Sequence, residues 1–273
     1  MKHVIALLCS LAAGAAHAGC GDMAEACQLP DGEYHAVLPE AGGQGAPVVL
    51  WLHGAGSNGG NAIRNTDLID ALTARGYAVL TPTASRPFRD GGFSWNFFPG
   101  WTGRDETDFL KRAVADAAGR FGTDPQRVLL AGFSAGAFMV SYLACSAPQT
   151  FTAYAPVSGG FWRPMPERCN GPVRLFQTHG WEDTTVPLEG RVLRSGSFEQ
   201  GDVFAGMELW RGANRCTGHA PTSYAETDSF WRRRWEDCAT GSALEFALWQ
   251  GGHSVPEGWA DMVLDWFEAL AVK

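Results

Sequence analysis

The sequence predicts an α/β fold with a mostly parallel central sheet and helices on both of its faces. Short apolar runs rich in valine, leucine and alanine alternate along the chain with longer amphipathic stretches. Strand-length runs that are apolar throughout are typical of parallel strands buried on both faces. The alternation of strand and helix continues to the end of the chain, as in folds built from repeated strand–helix–strand units.

The individual elements follow from the spacing of apolar residues. Apolar positions three and four residues apart predict helices, and alternation or a short apolar run predicts a strand. Strands are predicted at residues 33–38, 46–52, 77–81, 127–131, 151–157, 173–178 and 244–249, and helices at 61–75, 105–121, 135–147, 203–213 and 257–270. The length of 273 residues suffices for one sizeable core, so residues 19–273 are expected to form a single domain.

Residues 1–18 are predicted to be a cleaved secretory signal peptide. A basic start precedes a short apolar run, and an Ala-His-Ala site follows at residues 16–18. The run is too short to span a membrane, so a secreted or periplasmic protein without stable membrane insertion is expected. A lipoprotein anchor at Cys20 is the lesser alternative, because His17 stands where a lipobox would carry Leu.

Composition argues against a nucleic-acid partner. The formal net charge is −8 and the pI is near 5.3, whereas nucleic-acid-binding proteins normally present a basic patch. The one basic run, Arg232 to Arg234, lies among aromatic and acidic residues, and we interpret it as a solvated, locally paired segment. The sequence leaves the oligomeric state open.

Export also accounts for the cysteines, because Cys9 would leave with the signal peptide and an even number would remain. An even number of cysteines in an oxidising compartment argues for disulfides. Proximity along the chain favours pairing Cys20 with Cys27, Cys145 with Cys169, and Cys216 with Cys238, but spacing does not establish connectivity. A zinc site is a weak alternative, because the sequence has no C-x2-C or H-x3-H pair.

The strongest chemical motif is Gly-Phe-Ser-Ala-Gly at residues 132–136, between a predicted strand and a predicted helix. A sharp turn there lifts Ser134 above the sheet, and the two glycines leave room for the strained backbone. An ordinary glycine-rich turn is the alternative, but the apolar strand before the motif and the small-residue helix after it argue against it. Ser134 is therefore the candidate nucleophile.

Two later loops supply the partners that a serine nucleophile needs. Asp183 lies just beyond the strand 173–178, and His253 lies in a glycine-flanked loop after the last strand. A histidine can accept the serine proton near neutral pH while an acid orients its ring. The chain order serine, acid, histidine is that of one known class of hydrolases. Glu182 competes with Asp183 for the role of acid, and a helix-capping role for Asp183 is the alternative.

The loop after strand 46–52 has the sequence His-Gly-Ala-Gly at residues 53–56. Backbone amides in such a turn can donate to a developing oxyanion, together with the amide that follows the nucleophile. We expect Ala55 and Ala135 to supply these two donors, and His53 to support the loop.

An aromatic segment at residues 87–101 follows the strand 77–81 and is placed to overhang the carboxyl edge of the sheet, where ligands bind in such folds. The expected substrate-binding residues are Trp95, Phe97, Trp101 and, from the loop of the candidate acid, Trp181. The alternative is that these rings fill a small core at the surface, and the sequence does not decide between the two. A further pocket wall is expected from residues 189–237.

With these motifs in view, the chain resembles the secreted polyhydroxybutyrate depolymerase-like and feruloyl esterase-like branch of the α/β-hydrolases. The resemblance rests on LHGAG at 52–56, LLAGFSAGAFMV at 129–140, FTAYAPVSG at 151–159, HGWEDTTVP at 179–187 and GGHSVP at 251–256. It implies the α/β-hydrolase fold, catalytic roles for Ser134, Asp183 and His253, and local disulfides. The chain departs from the relatives at Val255, where they often carry Trp, and in the loop 87–101, so no substrate transfers with the resemblance.

The motifs and the resemblance together predict a secreted serine esterase. It would cleave hydroxycinnamate esters or polyhydroxyalkanoate-type polyesters through a Ser-His-Asp triad and an acyl-enzyme. This chemistry requires neither a metal nor an organic cofactor. A serine peptidase on the same fold and a catalytically silent binding protein with this fold are the alternatives.

Overall fold

A computed structural model describes residues 19–89 and 91–270, so the predicted signal peptide lies outside the described residues. Its strands are β1 Cys27–Leu29, β2 Gly32–Val37, β3 Val48–Leu52, β4 Ala78–Pro82, β5 Arg86–Pro87, β6 Phe93–Ser94, β7 Val128–Phe133, β8 Ala153–Val157, β9 Trp162–Arg163, β10 Arg174–Gly180, β11 Val192–Leu193, β12 Phe198–Gln200, β13 Ser223–Thr227, β14 Phe230–Trp235 and β15 Ala243–Trp249. Its helices are α1 Gly59–Ala62, α2 Thr66–Ala74, α3 Glu106–Phe121, α4 Ala135–Ser146, α5 Val203–Ala213 and α6 Trp259–Leu270.

Ten of these strands form one twisted sheet in the order β1-β2-β4-β3-β7-β8-β10-β15-β14-β13. The six central strands from β4 to β15 run parallel, and an antiparallel pair of strands lies at each end. Strands β3, β4 and β8 are buried along their whole length, as apolar strands in a covered parallel sheet should be. The predicted α/β class and mostly parallel sheet are confirmed.

Helices cover both faces of the sheet and divide the core into two layers. Helices α3, α4 and α5 contribute to the apolar layer on one face, and α2 and α6 contribute to the layer on the other. Each crossover returns the chain so that the next strand runs in the same direction. The carboxyl ends of the six parallel strands therefore lie at one edge of the sheet. The loops after β3, β7, β10 and β15 therefore meet there.

The predicted helix at 61–75 is wrong in its extent, since the structure has two shorter helices there. Helix α1 begins after Asn58, whose side chain accepts a hydrogen bond from the amide of Asn61. Asn65 then takes a non-helical backbone conformation, with ψ at 78°, before α2 begins. The apolar spacing continues across the break because both helices face the same layer, and spacing alone does not reveal the interruption.

The arginine triplet lies in β14 of an edge hairpin that the sequence analysis did not predict. Arg232 and Arg234 point to one face of the sheet, where both pair with the buried carboxylate of Glu245 on β15. Arg233 points to the other face and is exposed. The triplet is paired, but not with the acidic residues beside it in sequence as expected. Its partner Glu245 lies on the neighbouring strand, and Arg232 is largely buried rather than solvated.

Three disulfides join Cys20 with Cys27, Cys145 with Cys169, and Cys216 with Cys238. These are the pairs that proximity along the chain favours. Such bridges persist in oxidising compartments and fit a protein that works outside the cytoplasm. Within residues 19–89 and 91–270, no helix is both long and apolar enough to cross a bilayer.

Candidate active site

Ser134 lies on a sharp turn between β7 and α4. Its backbone has φ 55° and ψ −116°, a conformation that residues other than glycine rarely adopt. Its amide donates a hydrogen bond to the carbonyl of Val157 on β8. A Cβ at Gly136 would lie 2.2 Å from the carbonyl oxygen of Leu52, so only glycine lets α4 approach β3 so closely. The motif thus forms because the sheet and the helix pack against it on both sides.

The structure brings Ser134, His253 and Asp183 together, although they lie far apart in sequence. His253 Nε2 is 2.9 Å from Ser134 Oγ, and His253 Nδ1 is 2.7 Å from Asp183 Oδ2. A carboxylate only accepts, so Nδ1–H donates to it, and in the neutral ring Nε2 is then free to accept the serine hydrogen. This arrangement can transfer the hydroxyl proton to the ring when Oγ attacks an electrophile.

The Asp183 carboxylate is buried and accepts hydrogen bonds from two backbone amides and from His253. Its Oδ1 accepts from the amides of Thr185 and Val186 at 2.9 and 2.8 Å, while Oδ2 accepts from His253. Burial by itself raises the pKa of Asp183, but the hydrogen bonds from His253 and Val186 outweigh it and hold the pKa below its ordinary value. The group is therefore ionised at neutral pH. Glu182, the competing acid, is exposed.

Two backbone hydrogen bonds tie the acid loop to the histidine loop. The amide of Trp181 donates to the carbonyl of Trp249 at 2.8 Å, and the amide of Glu182 donates to the carbonyl of Gly251 at 2.9 Å. These bonds continue the parallel pairing of β10 with β15 beyond the ends of both strands. The distance between the carboxylate and the imidazole is thus fixed by the sheet itself.

The two expected oxyanion donors lie on loops that touch. A Cβ added at Gly54 would lie 3.4 Å from Cβ of Ser134, so the loop after β3 passes directly beside Ser134. Within the described residues, neither the amide of Ala55 nor that of Ala135 donates to another protein group. Ala135 is also the first residue of α4, where amides point outward from the helix and its dipole favours negative charge.

His53 supports this loop through three hydrogen bonds. Its Nε2 accepts from the amide of Ala84, its Nδ1 donates to the carbonyl of Gly54 at 2.8 Å, and its own carbonyl accepts from Trp95 Nε1. Burial lowers the pKa of His53 to about 4, so the ring is neutral and its tautomer is set by these partners. The bond to Gly54 fixes the peptide plane that contains the Ala55 amide.

The assignment of Trp95 to substrate binding is wrong. Its side chain has no exposed surface and packs beside His53, with ring centroids 5.1 Å apart, while its indole nitrogen donates to the His53 carbonyl. Phe97 is only 7% exposed, and its ring packs between the rings of Phe138, Tyr142 and neighbouring tryptophans. Both residues belong to a core beneath the segment, as the alternative interpretation held.

Trp101 and Trp181 keep exposed surface, so both remain predicted substrate contacts. Trp101 is partly exposed, with the guanidinium of Arg86 4.0 Å from its ring centroid. Trp181 is 58% exposed and stands two residues before Asp183. The sequence analysis missed Phe133, whose partly exposed ring lies 4.7 Å from the ring of His253. Its position immediately before the nucleophile was the only available signal.

A buried ion pair anchors the aromatic segment. Glu106, at the start of α3, accepts hydrogen bonds from Ser85 Oγ at 2.7 Å and from Arg104, and both charged side chains are almost fully buried. Arg104 also donates to the carbonyl of Thr83. The pair therefore closes the loop between β4 and α3 at its base. Within the described residues, no group of three histidine, cysteine or acidic side chains is placed to hold a metal ion.

Comparisons with known proteins show which proteins this chain is similar to. The family model described as Esterase PHB depolymerase matches residues 33–163. Poly(3-hydroxyalkanoate) depolymerase C of Paucimonas lemoignei is 28% identical over 193 residues, which are 67% of this chain and 43% of that protein. Feruloyl esterase B of Piromyces equi is 25% identical over 199 residues, 66% of this chain and 36% of that protein. The chain thus spans less than half the length of these relatives.

Among solved structures, an acetyl xylan esterase from Aspergillus awamori superposes with a TM-score of 0.64 at 16% identity. The match covers 86% of this chain and 93% of that one, and at this sequence identity it shows only that the two proteins share a fold. The resemblance predicted from the sequence motifs is therefore confirmed: the chain has the α/β-hydrolase fold and is similar to the polyhydroxybutyrate depolymerase-like and feruloyl esterase-like esterases.

Proposed function

We propose that this protein is a serine esterase that hydrolyses carboxylic esters outside the cytoplasm. The observation that supports the proposal most directly is the hydrogen-bonded series Ser134, His253 and Asp183 at 2.9 and 2.7 Å, set at the carboxyl edge of the sheet. The similarity to named esterases and a depolymerase points to the same chemistry. Three disulfides support export.

The reaction follows from the contacts in the site. Ser134 Oγ attacks the ester carbonyl while His253 Nε2 takes its proton, and Asp183 stabilises the imidazolium that forms. The ring then returns the proton to the leaving alcohol oxygen. Water attacks the resulting acyl-enzyme with the same histidine as base, which releases the carboxylic acid and restores the serine hydroxyl.

The tetrahedral intermediates need donors for their oxyanion. The amides of Ala55 and Ala135 are assigned this role. Neither has an acceptor among the described residues, Ala135 directly follows Ser134, and Ala55 follows Gly54, which lies against Ser134. A preorganised donor of this kind contributes about 3 kcal/mol to transition-state stabilisation. The positive end of the α4 dipole adds to it.

The substrate is proposed to be either a hydroxycinnamate ester or a polyhydroxyalkanoate. The names of the two relatives suggest these classes, and the exposed rings of Trp101, Trp181 and Phe133 offer surfaces for a flat phenolic group or an apolar polyester. Rates on methyl ferulate, short p-nitrophenyl esters and hydroxybutyrate oligomers distinguish the classes. Turnover of amide reporters but not of esters would instead support a peptidase.

The nucleophile is tested by the Ser134→Ala variant. We expect kcat on p-nitrophenyl acetate to fall by roughly 10⁶-fold, the size seen when a triad serine is removed, because nothing else can form the acyl-enzyme. The matched control is Ser141→Ala, since Ser141 is a buried serine of α4 outside the site. It should retain wild-type turnover.

Thermal unfolding should show that both serine variants fold. A fluorophosphonate probe should label the wild type and the control but not Ser134→Ala. Wild-type rates from Ser134→Ala would refute the assignment of the nucleophile. Folded wild-type protein that takes no label would favour a catalytically silent binding protein.

A further inference from the structure

A second imidazole, that of His179, lies close to the Asp183 oxygen that accepts the hydrogen bond from His253. The side chain of His179, on β10, is completely buried. Its Nε2 is 2.8 Å from the carbonyl oxygen of Val186 and 3.6 Å from Asp183 Oδ2. The reaction described above does not use this ring, although it lies within 4 Å of the triad acid.

The hydrogen-bond partners fix the chemical form of this ring. A carbonyl oxygen can only accept, so Nε2 of His179 carries the hydrogen and donates it to Val186. Its Nδ1 is buried and has no partner within the described residues. Burial lowers the pKa of His179, with the nearby His253 acting in the same direction and Asp183 opposing it. His179 is therefore a neutral donor.

Val186 lies between the side chains of His179 and Asp183 and is hydrogen-bonded to both. Its carbonyl accepts from His179 Nε2, and its amide donates to Asp183 Oδ1 at 2.8 Å. The two side chains also approach each other directly, with His179 Nε2 3.6 Å from Asp183 Oδ2. All three residues are buried, so water cannot replace a lost contact. Moving His179 would therefore release the backbone that orients the carboxylate.

We propose that His179 is a positioning residue that holds the Asp183 carboxylate in the orientation that His253 requires, a role that rests on the proposed esterase function. A neutral donor suits this place better than a lysine or an arginine would. A cation beside Asp183 would neutralise the carboxylate and weaken its support for the imidazolium that forms on His253. A neutral donor orients the carboxylate and leaves its charge intact.

The experiment compares His179→Gln with His179→Leu on p-nitrophenyl acetate. A glutamine amide reaches about as far as Nε2 and can still donate to Val186, whereas leucine fills the space without a donor. We expect His179→Gln to stay within about threefold of the wild-type kcat. We expect His179→Leu to lose roughly 10- to 100-fold in kcat, by analogy with the loss found when residues that orient metal ligands are removed, with KM nearly unchanged.

The pH profile separates positioning from a general loss of structure. If Asp183 moves, it stabilises the imidazolium less, so the acid limb of the kcat/KM profile should shift to lower pH in His179→Leu and not in His179→Gln. Partial unfolding would lower the rate without moving this limb. His219→Leu is the histidine-to-leucine control, because the side chain of His219 is 91% exposed, and it should change neither kcat nor the limb.

The low-field proton resonance of the His253–Asp183 hydrogen bond gives a readout that needs no turnover. It should persist in His179→Gln and shift or broaden in His179→Leu. The proposal would be overturned if His179→Leu left the resonance, the acid limb of the pH profile and kcat unchanged. It would also be overturned if both variants lost the same activity and the acid limb did not move in either. If the wild type cleaves no ester, the esterase proposal fails, and the resonance still tests the positioning role of His179.

Discussion

Two regions at the carboxyl edge of the sheet are held in place by different forces. The loops that carry Ser134, Asp183 and His253 are fixed by directional hydrogen bonds, many of them between backbone atoms. The aromatic segment at residues 87–101 is held by ring packing around Phe97 and by the buried pair of Arg104 and Glu106.

The difference follows from what each region has to do. Proton transfer needs atoms within tenths of an ångström of a productive distance, and only hydrogen bonds specify distance and direction together. Ring packing fills volume and excludes water, but it tolerates small displacements. Changes in the first region should therefore remove activity and leave stability intact, and changes in the second should do the reverse.

The largest expected effect is that of Asp183→Asn, in the hydrogen-bonded region. An amide cannot support the imidazolium and favours the wrong tautomer of His253, so kcat should fall by roughly 10⁴-fold. The melting temperature should change little, because shape and volume are conserved. Glu182→Gln is the matched control, since Glu182 is exposed next to Asp183, and it should be fully active. If Asp183→Asn kept more than a tenth of the wild-type kcat, the assigned acid would be wrong.

The next largest effect is that of Glu106→Gln, in the packed region. This change leaves the Arg104 guanidinium buried without a countercharge, which should cost about 3–5 kcal/mol of the free energy of unfolding. Urea unfolding measures the loss. The control is Glu199→Gln, which breaks the half-exposed pair of Glu199 with Arg163 and should cost less than about 1 kcal/mol. Equal costs for the two variants would show that the buried pair does not anchor the segment.

The smallest expected effect concerns His53, where the two regions touch. Its pKa is about 4 in the folded protein and near 6.5 when unfolded, so between these values the unfolded chain binds more protons. Stability is therefore fully present above pH 6.5 and falls as the pH drops towards 4, by at most about 3 kcal/mol.

Urea unfolding at pH 7 and at pH 4.5 measures this loss. His53→Gln should lose less stability over the same interval than the wild type, whatever its stability at pH 7, because it lacks the titrating ring. Asp183, with its lowered pKa, contributes a further loss in both proteins only towards more acidic pH. Parallel losses in wild type and variant would show that His53 does not govern the acid sensitivity.

Local patterns were sufficient for the elements that the sequence predicts correctly. The glycines around Ser134, the loop ends after three apolar strands and the short separations between cysteines are each confined to a few neighbouring residues. The pairing of β14 with β15 was missed because it depends on contacts between separate parts of the chain. The break between α1 and α2 was missed because it lies in the backbone conformation of Asn65, which apolar spacing does not indicate. Phe133 was missed because its position next to Ser134 in the sequence does not indicate that its ring lies beside His253.

The sequence by itself determined the parallel α/β layout and proposed three residues for catalysis, because apolar periodicity and turn glycines are local consequences of burial and backbone sterics. Only the tertiary structure decided which tryptophan is buried and which is exposed. Trp95 and Trp181 both follow strands and both adjoin polar loops, yet one has no exposed surface and the other is 58% exposed. Burial depends on what the rest of the chain packs against a side chain, and the residues that do so at Trp95 are distant in sequence.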